Sequence, residues 1–267
     1  MAVKKDALDR RWVEMEIIVP GTPEQVWRAI ATGPGISAWF VETEVEERIG
    51  GKLKFDFGTM GSSNGTVTGW EPPRRFAYEE RGWSGEAPPV ATEVAVTARS
   101  GGKCLVRMVH SLFTASDAWD DQLEGFESGW PGFFAVLRTY LTQFPGKTAA
   151  VLRIAGPSAS AEVEAWSHLT AGLGLAGANV GERRAAPEGA PPISGVVERV
   201  QQDGKTREIL LRLDQPGPGI AVVGMFTFEG KTQAALSVYL YGERAQELAE
   251  RHRSQLTAWF EGLLPKA

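Results

Sequence analysis

The chain has 267 residues, of which 43% are hydrophobic and 23% charged, and its formal net charge is −5. That length suits two domains of ordinary size, and that balance is typical of a folded globular protein rather than a disordered one. The acidic charge, with only short basic pairs such as Lys4-Lys5, Arg74-Arg75 and Arg183-Arg184, argues against a nucleic-acid partner, because neutralising phosphates requires clustered cations. Cys104 is the single cysteine, which rules out an intrachain disulfide and a cysteine-based metal site and fits a reducing, cytoplasmic setting. No apolar run reaches the length expected of a signal peptide or a membrane span, so no membrane partner is expected.

Val13, Met15, Ile17 and Val19 alternate with Trp12, Glu14, Glu16 and Ile18, the period of a strand with one buried face. Pro20-Gly21 ends that strand. Thr22-Pro23-Glu24-Gln25 supplies a capping hydroxyl, a proline at the first helical position and a glutamine three residues after the cap. A helix therefore starts there, with Val26, Trp27 and Ile30 on its apolar side. After a break at Gly33-Pro34-Gly35, Ile36 to Phe40 reads as a short second helix.

Strand-like runs follow at 41–47, 52–57, 66–70, 76–80, 92–98 and 104–113, separated by turn signals that include Asn64-Gly65, Pro72-Pro73, Pro88-Pro89 and Ser100-Gly101-Gly102. Their close spacing predicts an antiparallel meander. Glu42, Glu44 and Glu46 alternate along a solvated strand face. From Trp119 the period changes, and Leu123, Phe126, Trp130, Phe133, Leu137 and Leu141 recur at spacings of three and four, one face of a long amphipathic helix. Asp120, Asp121 and Glu124 sit near its start, where acids favour the helix dipole. Pro131 brings no N–H to that helix and is expected to bend it near Gly129-Trp130.

Phe144-Pro145-Gly146-Lys147 breaks the helix and marks the expected junction between domains at 1–145 and 146–267. The second half starts over with a strand at 151–155, Ser158 near a helix start, and a helix carrying Val163, Trp166 and Leu169. A Gly/Ala/Pro-rich loop at 172–192, with room for one short strand, precedes runs at 193–201, 207–213, 220–228 and 233–241. Asp203-Gly204 and Glu229-Gly230 divide those runs. A closing helix carries Leu248, Leu256, Trp259 and Leu263, and Pro265 stops it. Both halves thus read strand, helix, meander, long helix, which suggests duplication with a degenerate second copy. Gly172-Leu173-Gly174-Leu175-Ala176-Gly177 fits a dinucleotide-binding pattern but follows a helix rather than a strand, so it reads as loop.

The expected class is α+β, a curved antiparallel sheet gripping a long C-terminal helix. Several segments carry a family likeness in the family's order: "IIVPGTPEQVWRAIATGPGISAWF", "GGKLKFDFG", "GTVTGWEPPRRFAYEERGW", "VRMVHSLF" and "GWPGFFAVLRTYL". Over residues 12–144 the chain resembles the SRPBCC (START-like) superfamily, in the branch named for its similarity to the C-terminal domain of the activator of heat-shock protein 90 ATPase. From residue 148 onward only the element order supports the likeness. The family's Thr-His-x-Gly-Phe strand ending stands here as Val109-His110-Ser111-Leu112-Phe113, with Leu112 at the glycine position. The resemblance implies a helix-grip fold, in which such proteins mostly bind ligands.

The functional expectation is non-catalytic binding of a small hydrophobic or aromatic molecule between the N-terminal sheet and the long helix. On the sheet the candidate ligand-binding residues are Phe55, Phe57, Trp70, Tyr78, Met108 and His110; on the helix they are Phe126, Trp130 and Phe133. Trp39 and Trp83 are further candidates for an aromatic wall, and Glu80 shares the inward face of Tyr78. No catalytic residue, metal ligand or cofactor is assigned. The alternatives are a cyclase- or hydrolase-type enzyme using His110 with Tyr78 or Asp56, or a protein that contacts the heat-shock chaperone. His110 alone, without an aligned carboxylate, is not a catalytic constellation.

Overall fold

The computed structural model describes residues 3–83, 86–158, 160–202, 207–228 and 231–263. The chain divides into two compact units, 1–148 and 149–267. The turns expected at Asp203-Gly204 and Glu229-Gly230, and the stop at Pro265, lie outside the described residues.

In the first unit, β1 (Lys4–Lys5) and β2 (Arg10–Pro20) lead into α1 (Pro23–Ala31) and α2 (Gly33–Ser37). Strands β3 (Glu42–Val45), β4 (Lys52–Asp56), β5 (Ser62–Glu71), β6 (Arg75–Arg81), β7 (Val90–Arg99) and β8 (Lys103–Phe113) follow, and α3 (Asp120–Gln143) closes the unit. The eight strands form one antiparallel sheet in the order β1-β2-β8-β7-β6-β5-β4-β3. Strand β2 therefore lies beside the last strand, β8, and the meander runs outward from there.

Thr22 caps α1 reciprocally with Gln25: its hydroxyl accepts from the Gln25 N–H at 3.3 Å, and the Gln25 side chain accepts from the Thr22 N–H at 2.9 Å. The second helix begins earlier than its sequence suggests. Thr32 accepts from the Gly35 N–H at 3.1 Å, so Gly33-Pro34-Gly35 forms the first turn rather than a break, and Pro34 needs no donor there. A side chain at position 35 is excluded, since its Cβ would fall 1.8 Å from the Arg28 carbonyl oxygen. This close approach carries the chain inward, so that Trp39 and Phe40 are buried, with the Trp39 indole donating to the Ala29 carbonyl at 2.8 Å.

The register assigns the inner face of the sheet. Phe55 lies opposite Ser63, Val67 opposite Tyr78, Tyr78 opposite Thr92, Thr92 opposite His110, and His110 opposite Val13. Directly paired residues share a face, so this row crosses the sheet on its buried side. Glu42 and Glu44 on β3 are exposed, as their alternation suggests.

Helix α3 continues through Pro131 without interruption, but its burial changes there. Before the proline only Leu123 is buried; after it Gly132, Phe134, Ala135, Val136, Leu137, Tyr140 and Leu141 all are. The second half of the helix is packed onto the core, whereas most of the first half is half-buried or exposed.

The second unit consists of β9 (Ala149–Pro157), α4 (Glu162–Gly172), β10 (Arg183–Ala185), β11 (Ser194–Gln202), β12 (Arg207–Gln215), β13 (Gly219–Phe228), β14 (Lys231–Tyr241) and α5 (Ala245–Leu263). Its sheet order is β10-β11-β12-β13-β14-β9, so here the opening strand pairs with the last. The interior is mainly aliphatic, with Leu152, Leu169, Leu211, Val223, Leu236 and Val238 packed around Trp166 and Phe260. Ser158 lies shortly before α4, which begins at Glu162 with Ala161 at its cap. The glycine pattern at 172–177 runs off the end of α4, and its Leu173 and Leu175 are fully buried, so those residues serve packing.

Candidate functional site

Between the sheet of the first unit and the first half of α3 lies a cavity of about 340 Å³, within the range of small-molecule sites. The strands supply Phe55, Ser63, Tyr78, Glu80, Val90 and His110, with Phe57 just beyond β4. The helix supplies Gly125, Phe126, Gly129, Trp130 and Phe133, and Phe40 and Trp83 come from the connecting segments. Most of the wall is aromatic and in mutual contact. Phe40 meets Phe133 edge-to-face at 4.8 Å, Trp130 at 5.2 Å, Phe55 at 6.0 Å and Phe57 at 6.2 Å. Phe133, 40% exposed, stands at the rim.

Of the sheet residues singled out from the sequence, Phe55, Phe57, Tyr78 and His110 line this cavity, as do the helix residues Phe126, Trp130 and Phe133. Met108 and Trp70 do not. Met108 borders a neighbouring void of about 20 Å³ together with Trp39, Trp130 and Phe134, space for about one water molecule. Trp70 does face inward, opposite Phe76, but a bulge between Val67 and Gly69 sets it under α1, where it meets Trp27 edge-to-face at 5.0 Å. Asp56, weighed as an orienting group, lies on the other face of β4 and pairs with Lys54 at 3.1 Å.

Three further contributors escape a reading by strands and helix faces. Phe40 belongs to the turn after α2, and its position depends on the close approach at Gly35. Ser63 precedes the stretch that reads as strand. Thr92 was legible as an inward position between Val90 and Val94, but its role depends on a neighbour 18 residues away, His110.

The polar groups converge on one side of the cavity. His110 is 4% exposed, and its Nδ1 lies 2.8 Å from Thr92 Oγ1. Its ring lies against Phe126 at 4.9 Å and stacks on Trp130 at 5.8 Å. Burial pushes its pKa down to about 3, so the imidazole is neutral at physiological pH. Tyr78 is raised above its ordinary value, first by burial and then by Glu80, with a hydrogen bond to Thr92 acting the other way. Glu80 is raised by burial, partly offset by the Ser63 hydroxyl, which donates to it. The site is thus a ring-walled space with a polar side formed by His110, Tyr78, Glu80 and Ser63. No cluster of three or more His, Cys, Asp or Glu suited to a metal ion occurs among the described residues.

An antiparallel sheet in which β2 lies beside the last strand, β8, gripping a long C-terminal helix over an interior space, defines the first unit as a START-like domain of the SRPBCC superfamily. Residues 20–142 match the family described as Activator of Hsp90 ATPase homolog 1-like protein, the branch that the sequence segments resemble. No curated protein matches the chain. Among solved structures, the chain is similar to protein MLL2253 from Mesorhizobium loti, at 22% identity, 50% coverage of this chain, 98% of that one and a TM-score of 0.46. CalU16 from Micromonospora echinospora is 20% identical over 53% of this chain and 83% of its own, with a TM-score of 0.43. DynU16, a protein in the dynemicin biosynthetic locus, is 18% identical over 94% of this chain and 97% of its own, also at 0.43.

Proposed function

We propose that the first unit binds a small hydrophobic or aromatic molecule, without chemical conversion, in the cavity beneath the first half of α3. The observation that carries this reading is the wall itself: rings from the sheet, the α2 turn and the helix surround about 340 Å³, while the helix above it is scarcely buried before Pro131. A solid core would bury that stretch, because close packing removes gaps larger than a water molecule. His110 fits a binding role better than a general base, since a group held neutral to about pH 3 takes up protons poorly near pH 7.

Native mass spectrometry of the purified chain tests for a retained ligand, and tryptophan fluorescence follows titration with aromatic probes, Trp83 and Trp130 both lying in the wall. Phe57→Trp, which enlarges a ring at the wall, weakens probe binding. Unchanged affinity in that variant, with the fold intact, counts against this location. A chaperone contact, suggested by the family's name, is a separate reading, and calorimetry with the heat-shock chaperone separates the two. The single buried cysteine supports a reducing, cytoplasmic setting. No helix among the described residues is long and apolar enough to cross a membrane.

A further inference from the structure

Among the described residues that line the cavity, Glu80 is the one acid, and none is a lysine or arginine. Glu80 follows Tyr78 on the inner face of β6, whereas Arg81, next in the chain, lies on the other face and pairs with Glu79 at 2.5 Å. Among the described residues the side-chain partner of Glu80 is Ser63, whose hydroxyl donates to Oε1. Oε2 has no such partner, yet it is not sealed in, because the one buried side-chain nitrogen or oxygen left unpartnered is His110 Nε2. An accessible carboxylate oxygen on the wall of a ring-lined space is placed to meet a donor.

Two further features select the charge of that donor. Aromatic faces attract cations and repel anions, and the rings of Trp83, Phe126 and Trp130 stand in the same wall. The helix above them is acidic: from residue 108 to 137 the chain carries Asp117, Asp120, Asp121, Glu124 and Glu127 and no lysine or arginine. Arg11 neutralises Asp120, and Asp121 and Glu124 are exposed. Negative charge around the opening of an apolar space draws cations in and turns anions away.

We propose that the ligand of this cavity is a basic aromatic amine, whose protonated nitrogen pairs with Glu80 while its rings lie among Phe126, Trp130 and Phe133; the inference rests on the cavity being a binding site. Burial without a facing cation raises the Glu80 pKa, and a cation carried in by the ligand offsets that desolvation. Ser63 holds Oε1 in place and leaves Oε2 for the amine. The rings of the guest take up the apolar remainder of the wall.

The test uses the full chain and three naphthalenes that differ in the charge of one arm: 2-(aminomethyl)naphthalene, a cation at pH 7; 2-ethylnaphthalene, neutral and of the same shape; and 2-naphthylacetate, an anion. In calorimetry at pH 7 the amine is expected to bind about tenfold more tightly than ethylnaphthalene, the size of one charge-assisted hydrogen bond net of desolvation, and the acetate more weakly than both. Glu80→Gln keeps the shape and an acceptor for Ser63. In that variant the amine loses about tenfold, while ethylnaphthalene keeps its affinity and so reports an intact fold. Equal affinity of wild type for amine and ethylnaphthalene overturns the amine inference and leaves the binding reading standing; failure of all three to bind overturns the two together. A preference for the amine that survives Glu80→Gln also overturns the inference. Independently of any variant's folding, the carboxyl carbon resonance of Glu80 in wild type is expected to move on saturation with the amine and to stay in place with ethylnaphthalene, and no movement with the amine overturns the pairing.

Discussion

Arg11 on β2 and Asp120 at the first turn of α3 form a two-pronged ion pair, with Nε donating to Oδ1 at 2.6 Å and the second guanidinium nitrogen donating to Oδ2. Arg11 is 8% exposed and lies two residues before Val13 on the same face of β2. The pair fastens the outer end of a helix segment that has little apolar burial of its own, so the roof of the cavity is held by the packed half of α3 at one end and by this contact at the other. The bidentate geometry also holds the Arg11 pKa above its ordinary value, first through the hydrogen bonds that its guanidinium donates to Asp120.

Asp120→Asn keeps the shape of the contact and removes its charge. Amide hydrogen exchange is expected to accelerate in residues 120–130 and to stay unchanged in 132–141, since only the first segment depends on that tether. Equal acceleration in both halves would show that α3 opens as one piece.

Thr92→Val leaves His110 Nδ1 without its partner in a buried site and is expected to cost about 1–3 kcal/mol. Adding His110→Phe replaces both polar partners by apolar groups of similar shape and restores most of that loss. Urea denaturation of the two single variants and the double one measures the coupling. Additive losses would mean that the 2.8 Å contact contributes nothing to stability.

The depressed pKa of His110, about 3 in the folded chain, makes stability depend on pH. Its contribution is fully present above the unfolded value near 6.5. As the pH falls below that, the unfolded state takes up a proton that the folded state refuses, so stability falls by up to about 1.4 kcal/mol per pH unit until the folded group protonates. Glu80 acts in the opposite sense, because its raised pKa lets the folded state hold a proton that the unfolded state has released. The difference in unfolding free energy between wild type and His110→Phe, from urea denaturation at each pH from 7 to 4.5, isolates the histidine. A difference that does not vary across that window contradicts a buried neutral imidazole.

Gly129 lies within a helix, lines the cavity, and has open space around the position of a Cβ. Gly129→Ala should raise stability by about 0.5–1 kcal/mol through the helix preference alone. Thermal denaturation measures this, and a loss instead would indicate that the backbone at 129 is not that of an ordinary helix.

The order of the elements and the inward rows of most strands were legible in the sequence, because local chemistry sets them. The Thr22-Gln25 box starts α1, the alternation from Val13 to Val19 selects the buried face of β2, and the three-four spacing from Leu123 to Leu141 marks α3. The recurrence of strand, helix, meander and long helix was visible for the same reason. Contacts between distant segments were not. The bulge at Val67/Gly69 sends Trp70 under α1, the closeness of Gly35 to Arg28 brings Phe40 into the wall, and the pairing of β7 with β8 sets Thr92 against His110. Period and capping act over a few neighbouring residues, so they determine which face of each element is apolar. Whether those faces meet or leave a gap depends on side-chain volumes and backbone offsets summed across the sheet, which only the folded chain fixes.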